Sequence, residues 1–405
     1  MNLGEKFSRD ALVMRSSLIR QLTGLVNQPH VISFAAGSPN ALTFPHEQLR
    51  QIQDELIERE RGQIFQYSVT RGNARLINTV CERDRSLKGI ESTPAETLLA
   101  SGSQQGLDFI ARVLLDPGDA VFVETPSFIG AMSSFENFRA QLFAVKCDGD
   151  GMDLGHLARR IADARSQGRR CKLIYVIPNF QNPAGTVWSQ ARRQGLCDLA
   201  RREGVLVVED DAYGELYFEG VDPSALAPIK ARAESDHVVY ISTFSKILSP
   251  GLRVAWIHGP AEIIQRIEYC KETGDLCTST LSQRLVLEFL ERGWMPAQAA
   301  LARKFYSAKS ATMQTALERY FSGVAHWRAA RGGLFQWLDL PEGIDALALL
   351  HNSLEQDQVA FIPGGPFFAE AGRSNALRLS FSNVRDENID IGLSRLSRRI
   401  RQALS

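Results

Sequence analysis

The chain has 405 residues, of which 44% are hydrophobic and 23% are charged, a composition typical of soluble globular proteins at a length that suits two domains. Lysine plus arginine and aspartate plus glutamate both total 46, so the formal net charge is zero and favours neither a nucleic-acid partner nor a membrane surface. The six cysteines form no Cys-x-x-Cys pair and no Cys/His cluster with metal-ligand spacing, so the sequence predicts reduced thiols and no metal site.

The start of the chain carries charges throughout and lacks the apolar core of a signal peptide, and no apolar run is long enough to span a membrane. We therefore expect a cytoplasmic protein with no membrane partner. A helix is predicted from Arg15 to Val26, ended by Pro29, and an extended segment follows from Val31 to Phe34. We expect residues 1–45 to form an N-terminal arm that packs on a small second domain.

From about Ala95 onward, apolar runs of strand length alternate with amphipathic stretches of helix length. This alternation predicts an α/β fold with a mainly parallel, seven-stranded sheet between helices. The predicted strands are Thr97–Ala100, Ala120–Glu124, Gln141–Val145, Lys172–Val176, Leu206–Val208, Val238–Ile241 and Arg253–His258. The helices between them are predicted at Gly106–Leu115, Ser127–Phe138, Leu154–Gln167 and Gln190–Glu203.

Past Leu281 the pattern becomes helical, and near Gly332 it changes to short strands and helices that end in a basic helix, Asn388–Ala403. We expect a large domain over residues 46–285 and a smaller α/β domain over residues 286–405. A helix around Leu281–Gly293 is predicted to join them.

Ligands of open α/β sheets bind beyond the carboxyl ends of the strands, so the residues after each predicted strand are candidates for a site. Ser101–Gly106 leads straight into a helix, and its small residues suit either an anion at the helix N-terminus or an ordinary helix cap. Phe128 follows the next strand and suits either stacking on a planar ring or core packing.

Two further loops are unusually polar for the ends of buried strands. In Pro178–Gly185, the amide of Asn182 is held extended before a proline and could donate to a ligand, although an Asn-Pro turn also explains it. Glu209–Asp211 places three carboxylates together, which is costly unless cations meet them. One of them could face a protonated ring nitrogen; a plain acidic turn and a metal site are the alternatives.

Lys246 follows another buried strand, in a loop that also carries Thr243, Ser245 and Arg253. The hydroxyls and the guanidinium suit a phosphate beside a reactive amine, whereas a lone lysine is by default a surface residue. Arg378 lies inside an otherwise apolar strand and needs a partner, either a substrate carboxylate or an internal acid.

The order of these features resembles that of the fold-type I pyridoxal-phosphate aminotransferases of class I/II. The resemblance runs from about Arg15 to Ser382 and is greatest to the 2-aminoadipate aminotransferase group and the aminotransferase domain of MocR regulators. It implies that Lys246 binds pyridoxal phosphate as a Schiff base and later moves the proton. It also implies that Asp210 pairs with the pyridine nitrogen, and that Asn182 and Tyr213 reach the ring hydroxyl.

The resemblance assigns further roles around the cofactor and the substrate. Around the phosphate it implies Ser103, Gln104, Thr243, Ser245 and Arg253, with Phe128 stacked on the ring. Arg378 would hold the substrate α-carboxylate, and Gly37 would let the substrate approach, although Ala36-Gly37 departs from the Gly-Gly of many relatives. Tyr67 would reach the phosphate of a neighbouring subunit, which implies a homodimer. Arg20 would contact a distal substrate carboxylate or, alternatively, be a solvated helix arginine.

These roles predict an aminotransferase that moves an amino group from an L-amino acid to a 2-oxo acid. We expect 2-oxoglutarate and glutamate as one pair, and aminoadipate, an aromatic or a branched-chain amino acid as the other substrate. A lyase, decarboxylase or oxidase on the same fold is the alternative. A non-enzymatic sensor would need a DNA-binding head, and no basic helix-turn-helix precedes Arg15.

Overall fold

The computed structural model describes residues 3–8, 11–12, 14, 28–232, 235–370, 372 and 375–404. The predicted helix Arg15–Val26, with Arg20 on it, lies outside them. Within them, no helix has both the length and the apolar character needed to cross a membrane.

The centre of the fold is a sheet of eight strands in the order β2-β9-β8-β7-β6-β3-β4-β5. The pairs from β8 through β7, β6 and β3 to β4 are parallel, whereas β9 is antiparallel to both of its neighbours. The strands are β2 (Thr97–Ala100), β3 (Ala120–Thr125), β4 (Gln141–Asp148), β5 (Gly151–Met152), β6 (Cys171–Val176), β7 (Leu206–Asp210), β8 (Val238–Thr243) and β9 (Ala255–His258).

All seven predicted strands are present, and the mainly parallel arrangement is confirmed. The count of seven was one too low, because β5 adds an edge strand of two residues. It pairs antiparallel with the end of β4 across a tight turn at Gly149 and Asp150. A strand of two residues is too short to show as an apolar run in the sequence. Strand β9 is antiparallel because the segment between Thr243 and Ala255 contains no crossover helix, and a parallel return requires one.

Eleven α-helices lie in the described part of the chain, and those between the central strands agree with the predicted positions to within a few residues. The helices are α1 (His46–Glu60), α2 (Ala74–Lys88), α3 (Ser103–Leu114), α4 (Ile129–Asn137), α5 (Leu154–Ser166), α6 (Gln190–Glu203), α7 (Ala261–Gly274), α8 (Thr280–Glu291), α9 (Met295–Phe321), α10 (Ala346–Asp357) and α11 (Asp386–Leu404).

The C-terminal part forms a second sheet, antiparallel, in the order β10-β11-β14-β13. Its strands are β10 (His326–Trp327), β11 (Phe335–Asp339), β13 (Ile362–Pro363) and β14 (Ala376–Ser380). Strand β1 (Ile32–Ser33) pairs with β12 (Val359–Ala360) of this same part. This pairing is consistent with the predicted packing of the N-terminal arm, and the domain boundaries at residues 45 and 285 stay a prediction.

Candidate active site

A cavity of about 310 Å³ lies at the carboxyl ends of the central strands, beside the second sheet. It brings together the predicted site residues that the structure describes, with the exception of Tyr67. It is lined by Gly37, Ser103, Gln104, Phe128, Ile177, Asn182, Asp210, Ala212, Tyr213, Thr243, Ser245, Lys246, Pro250, Arg253, Phe335 and Arg378.

One end of the cavity is rich in hydroxyl and amide donors. Helix α3 begins there at Ser103, preceded by Gly102 with a φ of 92°. A Cβ atom on Gly102 would lie 1.9 Å from Nη2 of Arg253, so only glycine permits this close approach. The guanidinium donates to the carbonyl of Ser101 at 3.2 Å. A helix N-terminus, hydroxyls and an arginine together suit an anion.

The predicted residues at this end differ in the hydrogen bonds that their side chains make. The hydroxyl of Thr243 donates to Ser245 Oγ at 2.8 Å, which keeps both oxygens at the cavity wall. The side-chain amide of Gln104, in contrast, donates to the carbonyl of Gly130 at 2.9 Å and to Ser134 Oγ at 2.8 Å. Gln104 therefore lines the cavity while its amide nitrogen is bound to helix α4.

Asp210 ends strand β7 and is 4% exposed. Its Oδ2 accepts a hydrogen bond from the phenol of Tyr175 at 2.9 Å, whereas its Oδ1 is buried and has no partner among the described residues. Burial raises the pKa of Asp210 to about 6, and the neighbouring Asp211 adds to the shift while Tyr175 and Lys246 oppose it. The free oxygen requires a donor that the described residues do not supply.

Lys246 lines the same cavity as Asp210 and Arg253. Burial lowers the pKa of Lys246 to about 8, against the pull of Asp210 and with help from the charges of Arg253 and Arg378. Its Nζ is 5.8 Å from the centre of the Tyr213 ring. An amine with this pKa is neutral in about a tenth of the molecules at pH 7, far more than an ordinary lysine, so it suits a nucleophile or a base.

Arg378 lies in β14 and is 3% exposed. It donates to Oδ1 of Asn182 at 2.9 Å and to the carbonyl of Ala35 at 3.2 Å, while its Nε is buried and has no partner among the described residues. The guanidinium carbon lies 4.3 Å from the centre of the Phe335 ring. Burial lowers the pKa of Arg378 to about 10, so the side chain stays charged at neutral pH. Neutral oxygens hold it, and the predicted alternative of an internal acid is not observed within the described residues.

The three consecutive carboxylates of Glu209–Asp211 face different partners. Glu209 accepts the backbone N–H groups of Ile229 at 2.8 Å and Lys230 at 2.9 Å. Asp211 accepts from Tyr240 at 2.8 Å and from Lys88 at 3.3 Å, among others. Because the three groups do not converge, the alternative of a metal site at this stretch is not supported.

Four residues of the cavity wall were not predicted from the sequence: Ile177, Ala212, Pro250 and Phe335. Ile177 adjoins the predicted loop Pro178–Gly185, whereas Ala212 and Pro250 lie inside predicted loops but were given no role there. Phe335 comes from β11 of the second sheet and carries no motif. Tyr175, which contacts Asp210, has a weak signal as a polar ring among the buried apolar residues Leu173, Ile174 and Val176.

Gly37 and Tyr67 complete the predicted set. A Cβ atom on Gly37 would lie 3.3 Å from the Phe335 ring and 3.5 Å from Nη2 of Arg378, so a side chain there would crowd the cavity. Tyr67 is 77% exposed and does not line the cavity, and Phe65 and Val69 beside it are each 65% exposed.

Comparison with known proteins identifies the family. The model for class I and II aminotransferases matches residues 29–396. The chain belongs to this family. This aminotransferase is 36% identical to an aromatic-amino-acid aminotransferase of Thermococcus litoralis, over 98% of this chain and 94% of the relative. It is also 36% identical to a 2-aminoadipate transaminase of Thermus thermophilus, over 100% of this chain and 99% of that one.

Solved structures agree with the family match. The structure of a kynurenine aminotransferase of Pyrococcus horikoshii, in complex with pyridoxamine phosphate, superposes with a TM-score of 0.95 at 36% identity, covering 100% of this chain and 99% of that chain. The predicted family, activity and cofactor are thus confirmed: this chain is a pyridoxal-phosphate-dependent aminotransferase. The alternatives of a lyase, decarboxylase or oxidase have no support in these relatives.

Proposed function

We propose that this aminotransferase moves the α-amino group of a mid-sized L-amino acid to 2-oxoglutarate, with glutamate as the product. The names of its relatives support aminoadipate, aromatic amino acids or kynurenine as amino donors. This proposal rests on one observation: Lys246, Asp210 and Arg378 line the same cavity. Among the described residues, Oδ1 of Asp210 has no hydrogen-bond partner and the guanidinium of Arg378 has no acidic partner.

The residues present fit pyridoxal phosphate. The unpartnered Oδ1 of Asp210 suits the protonated ring nitrogen, and the donors around Gly102 suit the phosphate. We propose that Asn182 and Tyr213 bind the ring hydroxyl and that Phe128 stacks on the ring. The phosphate would be bound by Ser103, Thr243, Ser245 and Arg253, and by Gln104 through its backbone N–H at the start of helix α3.

The proposed mechanism follows from the positions of these side chains. Pyridoxal phosphate supplies, when bound, a ring that accepts the electrons left when the substrate Cα loses its proton. Arg378 binds the substrate α-carboxylate and thereby fixes which Cα bond faces the ring, which selects deprotonation over decarboxylation. Lys246 moves the Cα proton, and Asp210 keeps a proton on the ring nitrogen because an opposite charge at close range favours the protonated form. Phe335 and Tyr213 exclude water from one wall.

A stoichiometric half-reaction tests this proposal. The enzyme loaded with cofactor is mixed with one amino acid at a time, and the 2-oxo acid formed is measured together with the absorbance of the bound cofactor. We expect about one oxo acid for each site, and we expect 2-oxoglutarate to reverse the absorbance change. If carbon dioxide or ammonia is released instead, or if no amino acid reacts, transamination of this substrate class is wrong.

Arg20 is outside the described residues, so its proposed contact with a distal carboxylate rests on the family resemblance alone. Arg20→Ala is expected to raise the KM for 2-oxoglutarate and to leave the KM for a monocarboxylic aromatic substrate unchanged. An unchanged KM for 2-oxoglutarate would mean that Arg20 is a solvated helix residue.

A further inference from the structure

We propose that Tyr175 is a positioning residue that keeps Asp210 ionised and directs its free oxygen, Oδ1, into the cavity. This inference rests on the role proposed above for Asp210. Tyr175 lies on β6, beside the strand that ends in Asp210, and its side chain is fully buried. No role in the reaction follows from its place in the sequence, because it lies one residue before the strand end, within the buried run Leu173–Val176.

The hydrogen bonds of Asp210 carry the argument. Tyr175 donates to Oδ2 at 2.9 Å, and no other side chain or backbone donor reaches Asp210 in the described parts of the chain. A single donor on one oxygen fixes the rotation of the carboxylate, so the other oxygen has a defined direction. The phenol itself packs edge-on against Phe135, with ring centres 5.7 Å apart, which restricts its own movement.

The charges around the pair determine what the hydrogen bond does. The titratable groups that face Asp210 are Tyr175, Asp211, Lys246 in the loop after β8, and Tyr213 in the loop after β7. Glu124 on β3 faces Tyr175. Burial raises the pKa of Tyr175 well above 10, so the phenol remains a donor at every working pH. Burial and Asp211 both favour a protonated Asp210, and the Tyr175 hydrogen bond opposes them by stabilising the ionised form.

Binding of pyridoxamine 5′-phosphate to the cofactor-free chain provides the test. This probe carries an amine where pyridoxal phosphate has an aldehyde, so Lys246 forms no bond with it. Dissociation constants are measured by calorimetry from pH 5.5 to 8.5 for the wild-type chain and for Tyr175→Phe. The ratio of the two constants cancels the titration of the probe itself.

Loss of the hydrogen bond is expected to raise the pKa of Asp210 by about one unit above its value of about 6. At pH 8.5 Asp210 is ionised in both proteins, so the ratio of dissociation constants there reflects only the lost orientation of Oδ1. At pH 6 the ratio should be about five times larger than at pH 8.5. Equal ratios at pH 6 and 8.5, with tight binding, would overturn the role of Tyr175. Failure of the wild-type chain to bind the probe would instead contradict the proposed cofactor contacts.

Tyr240→Phe is the matched control. Tyr240 is also fully buried, on strand β8, and gives its hydroxyl to Asp211 rather than to Asp210. The ratio of the dissociation constants of Tyr240→Phe and the wild type should not change between pH 6 and 8.5. A second variant carries 3,5-difluorotyrosine at position 175, which is a stronger donor of nearly the same volume. The ratio of the dissociation constants of this variant and the wild type should fall below one at pH 6. A ratio that stays at one would count against the proposal even if Tyr175→Phe folds poorly.

Discussion

At the scale of single residues, the site is governed by two buried charges that favour each other's ionised form. Burial moves the pKa of Asp210 up to about 6 and that of Lys246 down to about 8, and each is held back by the other. Neither shift is readable from the sequence, which shows only an acid and a lysine after two different strands. The pairing depends on strand order, because β7 and β8 are neighbours in the sheet.

The lowered pKa of Lys246 predicts how cofactor attachment depends on pH. Only the neutral amine attacks the aldehyde, so the attachment rate should rise with pH around a midpoint near 8, whereas an ordinary lysine with the reference value of 10.5 would titrate later. Asp210→Asn removes the charge that favours the protonated amine and should lower this midpoint. Stopped-flow absorbance from pH 6 to 10 measures both, and a wild-type midpoint near 10 would contradict the structure.

The guanidinium of Arg378, which no acid among the described residues pairs, predicts a loss specific to carboxylate substrates. Hydrogen bonds to charged groups contribute about 1.5–3 kcal/mol each, so Arg378→Ala should lower kcat/KM for an amino acid by roughly 100-fold. A primary amine without a carboxylate should react slowly and equally with both proteins. Arg319→Ala removes an exposed arginine that pairs with Asp390 and should have no effect on either substrate. Equal losses for amine and amino acid would argue against carboxylate binding.

At the scale of elements, the Asp211 carboxylate joins the two strand-end loops that carry Asn182 and Tyr213 to strand β8, the strand that leads to Lys246. Its Oδ1 accepts from Asn179 at 3.0 Å and from the backbone of Gly214 at 3.1 Å. Its Oδ2 accepts from Tyr240 at 2.8 Å and from Lys88 at 3.3 Å. Asp211 thus connects the loop after β6, the loop after β7, strand β8 and helix α2.

This connection predicts that Asp211→Asn disturbs both stability and catalysis. The change leaves the buried Lys88 with less neutralisation and should destabilise the fold by about 3 kcal/mol, the lower end for breaking a buried ion pair. It should also lower kcat by about tenfold, because small displacements of catalytic groups are costly. Asp84→Asn is the control, since Asp84 also pairs with Lys88, at 3.7 Å, but its side chain bonds to Trp256 and His258 on β9 and, within the described residues, to neither of these loops.

Asp84→Asn should therefore lower the melting temperature without lowering kcat. Equal effects of the two variants on kcat would mean that Asp211 acts only through general stability. The comparison needs melting curves and steady-state rates on the same preparations.

The elements around the site were largely predictable, and their contacts were not. Each central strand shows as an apolar run, since a parallel sheet covered on both faces needs one. The polar residues after each run then locate the site at one edge. Lys88, however, lies 123 residues before its partner Asp211, and Phe335 enters from another sheet. Such contacts follow from tertiary packing, which periodicity and local motifs do not encode.

At the scale of the whole molecule, we propose a homodimer in which Tyr67 binds the phosphate in the partner's site. Tyr67, Phe65 and Val69 are exposed on one segment, at 77%, 65% and 65%, and burial against a second copy would remove this apolar surface from water. The cytoplasmic location, which we also propose, rests on the sequence expectations above.

Mixed dimers test the sharing of sites. Lys246→Ala and Tyr67→Phe should each be impaired alone, the first almost completely. If each site combines Lys246 of one subunit with Tyr67 of the other, a dimer of the two variants contains one intact site. When the two variants are mixed under conditions that exchange subunits, each mixed dimer should therefore have up to half of the activity of a wild-type dimer. No gain over the average of the separate variants would contradict a shared site.

The contact between Arg378 and Ala35 has a consequence for the order in which the site is synthesised. Arg378 reaches the carbonyl of Ala35 across 343 residues, whereas the proposed cofactor contacts of the same subunit run only from Ser103 to Arg253. The ribosome therefore synthesises the proposed cofactor contacts first and Arg378 more than a hundred residues later. The growing chain therefore passes through a stage in which its own cofactor contacts have all been synthesised while the group that selects amino acids has not.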